Sequence, residues 1–228
     1  MDEILTLMKL ELLKDKVHKE LYEILQKKGI TELRPAQKKA IDAELLEHKN
    51  LLICTPTSSG KTLIAELAAM NSILHHHGKA IYIAPLKSLA TEKYKEFKQF
   101  YGEKAKIALS IGDKDDVDPK LHEYDLIITT SEKLDSLLRH RVDWLKDIAV
   151  IIIDEIHLLN DTSRGPTLEI LITILKEVLK KVQIIGLSAT IGNPEQLADW
   201  LGAKLIIDDW RPVELHKGTY LDGKIELK

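Results

Sequence analysis

The stretch from Leu51 to Met70 constrains the fold more than any other. Four apolar residues, Leu51-Leu52-Ile53-Cys54, lead into Thr55-Pro56-Thr57-Ser58-Ser59-Gly60-Lys61-Thr62. Leu63-Ile64-Ala65-Glu66-Leu67-Ala68-Ala69-Met70 follows with neither Pro nor Gly. The first run reads as a buried strand and the last as a helix. A tight turn of small residues between them aims the unpaired N–H groups of the helix start at one point, and the helix dipole adds positive potential there. That arrangement cradles phosphate. Thr57, Ser58, Ser59 and Gly60 form the cradle, Lys61 brings a mobile positive charge to the outer phosphates, and the Thr62 hydroxyl is a ligand for Mg²⁺. Thr55 stands where the usual pattern has its first glycine; Gly60 keeps its place beside Lys61.

The rest of the chain repeats this rhythm. Apolar, β-branched runs at 51–54, 80–84, 107–111, 125–129, 149–153, 184–188 and 205–208 alternate with helical stretches near 62–76, 87–100, 131–140, 165–181 and 194–201. Continuous apolar strands are covered on both faces, so the expected fold class is α/β: a three-layer parallel sheet flanked by helices. In such sheets ligands sit at the carboxyl ends of the strands. Ahead of this, residues 3 to 28 carry apolar positions at helical spacing (Ile4, Leu7, Met8, Leu21, Ile24, Leu25) and stop at Gly29, which predicts one or two amphipathic helices. Pro35 suits the first turn of a helix running to about Leu46.

At those strand ends a second constellation appears. Ile151-Ile152-Ile153-Asp154-Glu155-Ile156-His157 places adjacent acids at the end of the most apolar strand. Carboxylates there are costly to bury without a compensating cation, and a Mg²⁺-nucleotide is that cation. Asp154 holds the metal and Glu155 orients or deprotonates the attacking water, so Lys61, Asp154 and Glu155 make up one side of a phosphoryl-transfer site.

Composition narrows the partners. Lys+Arg 33 against Asp+Glu 36 gives a net charge of −3, so any nucleic-acid surface must be local. The single cysteine excludes an internal disulfide and fits a reducing compartment. No apolar run approaches the roughly 20 residues of a membrane span, so a cytoplasmic protein with no membrane partner is expected. Cys54 reads as a small buried residue. His75-His76-His77 reads as a solvated helix end, with a metal site as the alternative; the acidic patch 113–118 lacks the glycine and closing glutamate of a calcium loop.

Together these motifs resemble the DExH-box helicases of superfamily 2, in particular the superkiller-like branch with its Holliday-junction and fork-acting DNA repair helicases. The resemblance runs from about Leu21 onward. It implies a RecA-like P-loop NTPase domain that binds ATP and Mg²⁺. Asp154-Glu155-Ile156-His157 is similar to motif II. Ser188-Ala189-Thr190 is similar to motif III, which implies a coupling role for His157, Ser188 and Thr190. Leu33-Arg34-Pro35-Ala36-Gln37 resembles the Q-motif, which makes Gln37 the adenine reader, its amide carrying both a donor and an acceptor. Ala84-Pro85-Leu86-Lys87-Ser88-Leu89-Ala90 resembles motif Ia, Ile111-Gly112-Asp113 the turn after it, and Thr129-Thr130-Ser131-Glu132-Lys133 motif Ib, followed by a helix bearing Arg139 and Arg141. This assigns Pro85, Lys87, Ser88, Gly112, Thr130, Ser131, Lys133 and Arg139 to nucleic acid. Hydroxyls, helix N-termini and single basic residues suit a phosphate backbone and read no bases.

Ser136-Leu137-Leu138-Arg139-His140 with Trp144, Arg164-Gly165 and Trp210-Arg211-Pro212-Val213 resemble the repair branch most closely, so DNA is favoured over RNA, with 3′–5′ polarity and fork or recombination repair implied. An RNA-directed motor and a non-motor nucleotide-binding module stay as alternatives. The expected organisation is a helical segment over 1–29, the first RecA-like domain over 30–210, and over 211–228 the start of a linker toward a second lobe. That lobe's arginines are the partner the resemblance implies, and little activity is expected without it.

Overall fold

The computed structural model describes residues 7–112, 120–140, 143–212, 218–221 and 224–227. Ile4, the acidic patch 113–118, Arg141 and Val213 lie outside these. Among the described residues nine strands precede a hairpin at 218–227: β1 (Met8–Lys9), β2 (Glu32–Leu33), β3 (Leu51–Cys54), β4 (Lys79–Ala84), β5 (Ile107–Ser110), β6 (Leu126–Thr130), β7 (Ile148–Ile153), β8 (Gln183–Ser188) and β9 (Lys204–Ile207). The helices are α1 (Lys19–Lys27), α2 (Pro35–Asp42), α3 (Lys61–Leu74), α4 (Lys87–Tyr101), α5 (Ser131–Arg139), α6 (Gly165–Val178) and α7 (Pro194–Leu201).

Seven of these strands form one parallel sheet in the order β5-β6-β4-β7-β8-β3-β9. Alternation inside each apolar run divides its residues between two cores. Leu51 and Ile53 pack with α1 to α4, while Leu52 and Cys54 face the side of α5 to α7. Both faces are therefore dry, which is why the strands read as unbroken apolar runs. Strands β10 (Gly218–Leu221) and β11 (Lys224–Leu227) pair antiparallel with each other.

The N-terminal segment departs from expectation. Met8 and Lys9 pair antiparallel with Leu33 and Glu32, and Leu10–Leu13 is a 3₁₀ turn, so among the described residues of this segment α1 is the one α-helix. Pairing with a strand more than twenty residues away overrides the local helical spacing. The His18 side chain accepts the Glu20 N–H to start α1, and the His18 N–H is fixed by Asn71 Oδ1 at 3.1 Å. Helix α2 also ends early, at Asp42. Glu44 adopts a left-handed conformation (φ 69°) and the chain continues as a 3₁₀ turn, Leu45–Glu47.

At the opposite end of the sheet from the carboxyl ends, His75, His76 and His77 are exposed beyond α3. His77 Nδ1 lies 2.8 Å from His48 Nε2, and the His75 ring stacks on that of His77. Among the described residues no three His, Cys, Asp or Glu side chains are grouped to hold a metal ion. No helix among them is long and apolar enough to cross a membrane.

Candidate nucleotide site and nucleic-acid groove

The sheet order places β7, β8 and β3 side by side, so Asp154-Glu155, Ser188 and the 55–60 turn leave adjacent strand ends. Gly60 begins α3 with φ 92°, a left-handed conformation suited to glycine. Its position is also sterically closed: a Cβ there meets Gln37 Nε2 at 2.5 Å. Inside the turn Thr55 Oγ1 and Ser59 Oγ are 2.7 Å apart and buried, whereas Thr57 and Ser58 are exposed. Thr55 therefore braces the turn through its hydroxyl, at the position where a glycine is usual.

Lys61 turns back over this cradle. Its Nζ donates to Thr55 O at 3.1 Å and Ser188 O at 2.9 Å, and the Thr55 N–H donates to the same Ser188 carbonyl. Burial pulls the ammonium below the ordinary lysine range, while the carboxylates of Glu155 and Asp154 hold it up. Thr62 Oγ1 accepts from Lys93 Nζ at 3.1 Å, and Lys93 pairs with Glu96 at 3.0 Å.

Across the cleft, Asp154 Oδ1 accepts the Glu155 N–H at 3.0 Å and Oδ2 accepts the Tyr82 hydroxyl at 2.7 Å. Burial, and then the Asp154 carboxylate, push the Tyr82 phenol well above its usual value, so it acts as a donor. Glu155 is itself left-handed (φ 49°), a strained conformation for a residue with a Cβ, and one that clusters at functional sites. His157 Nδ1 lies 3.2 Å from Glu155 Oε2 without hydrogen-bond alignment. Glu155 Oε2, His157 Nδ1 and Ser188 Oγ are three of the four buried side-chain polar atoms left without a hydrogen-bond partner among the described residues. Unpaired buried polar atoms are uncommon in a folded protein, and their concentration here fits a site that receives a polar ligand. Thr190 is exposed in the loop after β8. Cys54 is buried, which raises its thiol and leaves it unreactive.

Gln37 is buried at the start of α2. Its Oε1 accepts the Arg34 N–H at 2.8 Å and its Nε2 donates to Gly60 O at 2.9 Å, so one side chain ties that helix start to the cradle. The carbonyl oxygen and the NH₂ of its amide each keep one further hydrogen-bonding position. Arg34 Nη1 holds Ser58 O at 2.7 Å and stacks 5.4 Å from the Trp210 ring. A cavity of about 400 Å³ opens beside Gln37, bounded by Gly29, Thr31, Gly60, Thr62 and Glu66.

A separate groove of about 370 Å³ gathers Pro85, Lys87, Gly112, Thr130 and Lys133 with Glu132 and Arg164. Five residues assigned to nucleic acid thus come together. Lys133 is buried in the groove wall, and Ser88 is exposed on the first turn of α4. Ser131 lines a smaller cavity with Pro85, Asp154 and Arg164. Arg139, at the far end of α5, is bonded to Asp135 and does not line the groove. Arg164 is set by Asp161, whose Oδ1 accepts the Ser163 and Arg164 N–H groups, and by Gly165, where a Cβ would meet Leu159 O at 2.2 Å.

Arg34, Tyr82, Lys93 and Arg164 are the site residues that sequence reasoning did not assign. Arg34 and Arg164 sit inside quoted motifs, which was their signal. Tyr82 is the one polar aromatic in an apolar strand, and Lys93 carries no distinguishing pattern.

Comparison with known proteins agrees with this geometry. The chain is 58% identical over 214 residues to the ATP-dependent DNA helicase Hel308 of Methanocaldococcus jannaschii, covering 91% of this chain and 18% of that protein. It is 53% identical over 207 residues to the Hel308 of Pyrococcus abyssi, covering 91% of this chain and 28% of the relative. The chain thus spans less than a third of the length of these relatives. Among solved structures, the DUF1998 helicase MrfA bound to DNA superposes with a TM-score of 0.70 at 25% identity, over 86% of this chain and 30% of that one. The family model for DEAD/DEAH box helicases matches residues 34–197, a span that takes in Gln37, the cradle, Asp154-Glu155 and Ser188. The chain belongs to the DEAD/DEAH box helicase family.

Proposed function

We propose that this chain is the ATP-binding lobe of an ATP-dependent DNA helicase motor acting in fork or recombination repair. The observation that carries the reading is the junction at Lys61. Its ammonium bridges the cradle and the Ser188 carbonyl beside Asp154-Glu155, whose carboxylates act on it electrostatically. The residues fit Mg²⁺-ATP. The cradle N–H groups and Lys61 hold the phosphates, Gln37 takes the adenine edge, and Thr62 with Asp154 holds the metal. Mg²⁺ supplies neutralisation of phosphate charge. Glu155 accepts the proton of the attacking water at its carboxylate, general-base assistance worth about 10²–10⁴ in rate. His157 and the Ser188-to-Thr190 turn carry the phosphate state toward neighbouring segments. The groove of Lys87, Thr130 and Arg164 binds the DNA backbone without reading sequence.

The relatives are at least three times longer, which supports a second lobe as the source of the arginines that complete the site. An arginine finger is worth about 10³–10⁵ in phosphoryl transfer. The test is steady-state ATP hydrolysis with and without single-stranded DNA, with Glu155→Gln as the blank and Lys61→Ala as the binding control. The expected result is nucleotide binding lost in Lys61→Ala, with turnover close to the blank. Brisk DNA-stimulated turnover overturns the dependence on a second lobe, and stimulation by RNA alone overturns the choice of DNA.

A further inference from the structure

Tyr82 lies in the middle of β4 with no solvent exposure. It pairs with Ile152 across the β4–β7 ladder, and the Asp154 N–H continues that ladder by donating to Ile83 O at 2.9 Å. Side chains two residues apart on a strand share a face, so the Tyr82 ring lies on the same side as Asp154 and reaches along β7 to it. The ring is packed edge-on against Phe97 at 5.9 Å, and Phe97 in turn against Tyr101 at 5.7 Å. A phenylalanine would satisfy that packing. The hydroxyl is therefore not explained by the core, and leaving it unpaired there would carry the desolvation penalty of a buried polar group. Its acceptor is the carboxylate oxygen at 2.7 Å, a short charge-assisted bond.

We propose that Tyr82 is a positioning residue for Asp154. Its hydroxyl holds one carboxylate oxygen while the Glu155 N–H holds the other, so that the carboxylate meets Mg²⁺ in one orientation. This rests on the Mg²⁺-ATP reading above. Both oxygens of Asp154 are then tethered, and each keeps a lone pair for the metal or its water. Two effects oppose each other. A donor withdraws electron density and weakens the ligand, whereas a fixed orientation removes the ordering that metal binding otherwise requires. Orientation prevails at sites of this kind, where loss of an outer hydrogen bond usually lowers metal affinity about 10–100-fold.

The test measures binding of a fluorescent ATP analogue to the purified chain across a Mg²⁺ titration, for wild type, Tyr82→Phe and Asp154→Ala, with thermal unfolding alongside. Tyr82→Phe is expected to bind the analogue in EDTA as wild type does, and to need about tenfold more Mg²⁺ for half-maximal enhancement. Asp154→Ala is expected to lose the enhancement altogether. A Tyr82→Phe protein that unfolds at a lower temperature but keeps the wild-type Mg²⁺ midpoint overturns the proposal and leaves the hydroxyl a merely structural group. If Asp154→Ala also keeps that midpoint, the Mg²⁺ assignment itself fails and the role of Tyr82 fails with it.

Discussion

In the wall of the cavity beside Gln37, Lys28 is paired with the buried Glu66, and removing the lysine alone puts a number on what that pair does. Glu66 on α3 is 2% exposed; Lys28 Nζ and the Tyr101 hydroxyl both donate to its Oε2 at 2.6 Å. Burial raises the Glu66 carboxyl, and Lys28 is the strongest influence pulling it back toward its ordinary 4.5. Lys28→Met leaves the carboxylate with Tyr101 alone. Breaking a buried pair from one side costs about 3–5 kcal/mol. The surviving Tyr101 bond sets the expectation at the lower end, roughly 3 kcal/mol at pH 8. For a chain of this size each kcal/mol moves the melting temperature about 2–4 °C, so the midpoint should fall by roughly 6–12 °C. The sign with pH is fixed by the raised carboxyl. Between 4.5 and its folded value the folded state holds more protons than the unfolded, so stability falls as pH rises through that window. Loss of Lys28 pushes the folded value higher and widens the window. The deficit of the variant should therefore shrink on acidification toward pH 4.5, to the roughly 0.5–1 kcal/mol of the lost Lys28 contact with the Phe100 ring at 4.4 Å. The assay is thermal unfolding from pH 5 to 8, closed as a cycle with Glu66→Gln and the double variant, which should regain most of the loss. A deficit that does not vary with pH, or a double variant no better than Lys28→Met, would refute the argument.

Gly60→Ala should cost about 1–2 kcal/mol from the left-handed backbone alone. It should also displace Gln37 from Gly60 O, weakening nucleotide binding while Thr57→Ala, at an exposed position of the same turn, leaves the melting temperature unmoved; a Gly60→Ala protein of unchanged midpoint and affinity would contradict the steric reading. Arg164→Ala should reduce the slope of log affinity for single-stranded DNA against log salt by about 0.7, the share of one phosphate contact. Arg139→Ala, away from the groove, should leave that slope unchanged, and salt titration of fluorescence anisotropy separates the two.

How far the architecture was legible depends on the range of the contacts that decide it. The strand, turn and helix over 51–74 are settled within a few residues by apolar content, the small-residue turn and Gly60, and they appear where expected. The other core strands are equally local, because a sheet dry on both faces needs continuous apolar runs. The segment before Lys19 was not legible. Its helical spacing is real, but Met8 and Lys9 are claimed by Leu33 and Glu32. At the site, Lys61, Thr62, Asp154 and Glu155 were readable from the chemistry of their motifs. Their supporting partners were not: Tyr82 and Asp154 are 72 residues apart, and Lys93 and Thr62 are 31. Gln37 shows the same division. Its motif points to a base, while its buried position adds a second task that spacing does not reveal, that of tethering α2 to the cradle.

The same contacts bear on how the nucleotide site and the groove can influence each other. Asp154 and Arg164 line one small cavity together with Pro85 and Ser131, so the proposed metal ligand shares a single layer of packing with two residues of the groove. On the other flank Lys61 is bonded to Ser188 O, the last residue of β8 before the Thr190 turn. A change in what Lys61 or Asp154 binds therefore reaches both the groove wall and the Ser188 turn through direct neighbours, without a long relay. Coupling of this kind needs an element with two arrangements, and packed neighbours alone do not supply one. Lys61 is the group here with a clear alternative: its ammonium is held by two carbonyls that a phosphate would outcompete by charge. On the proposed Mg²⁺-ATP reading, a phosphate that draws Lys61 away releases Ser188 O, the carbonyl from which the loop after β8 departs.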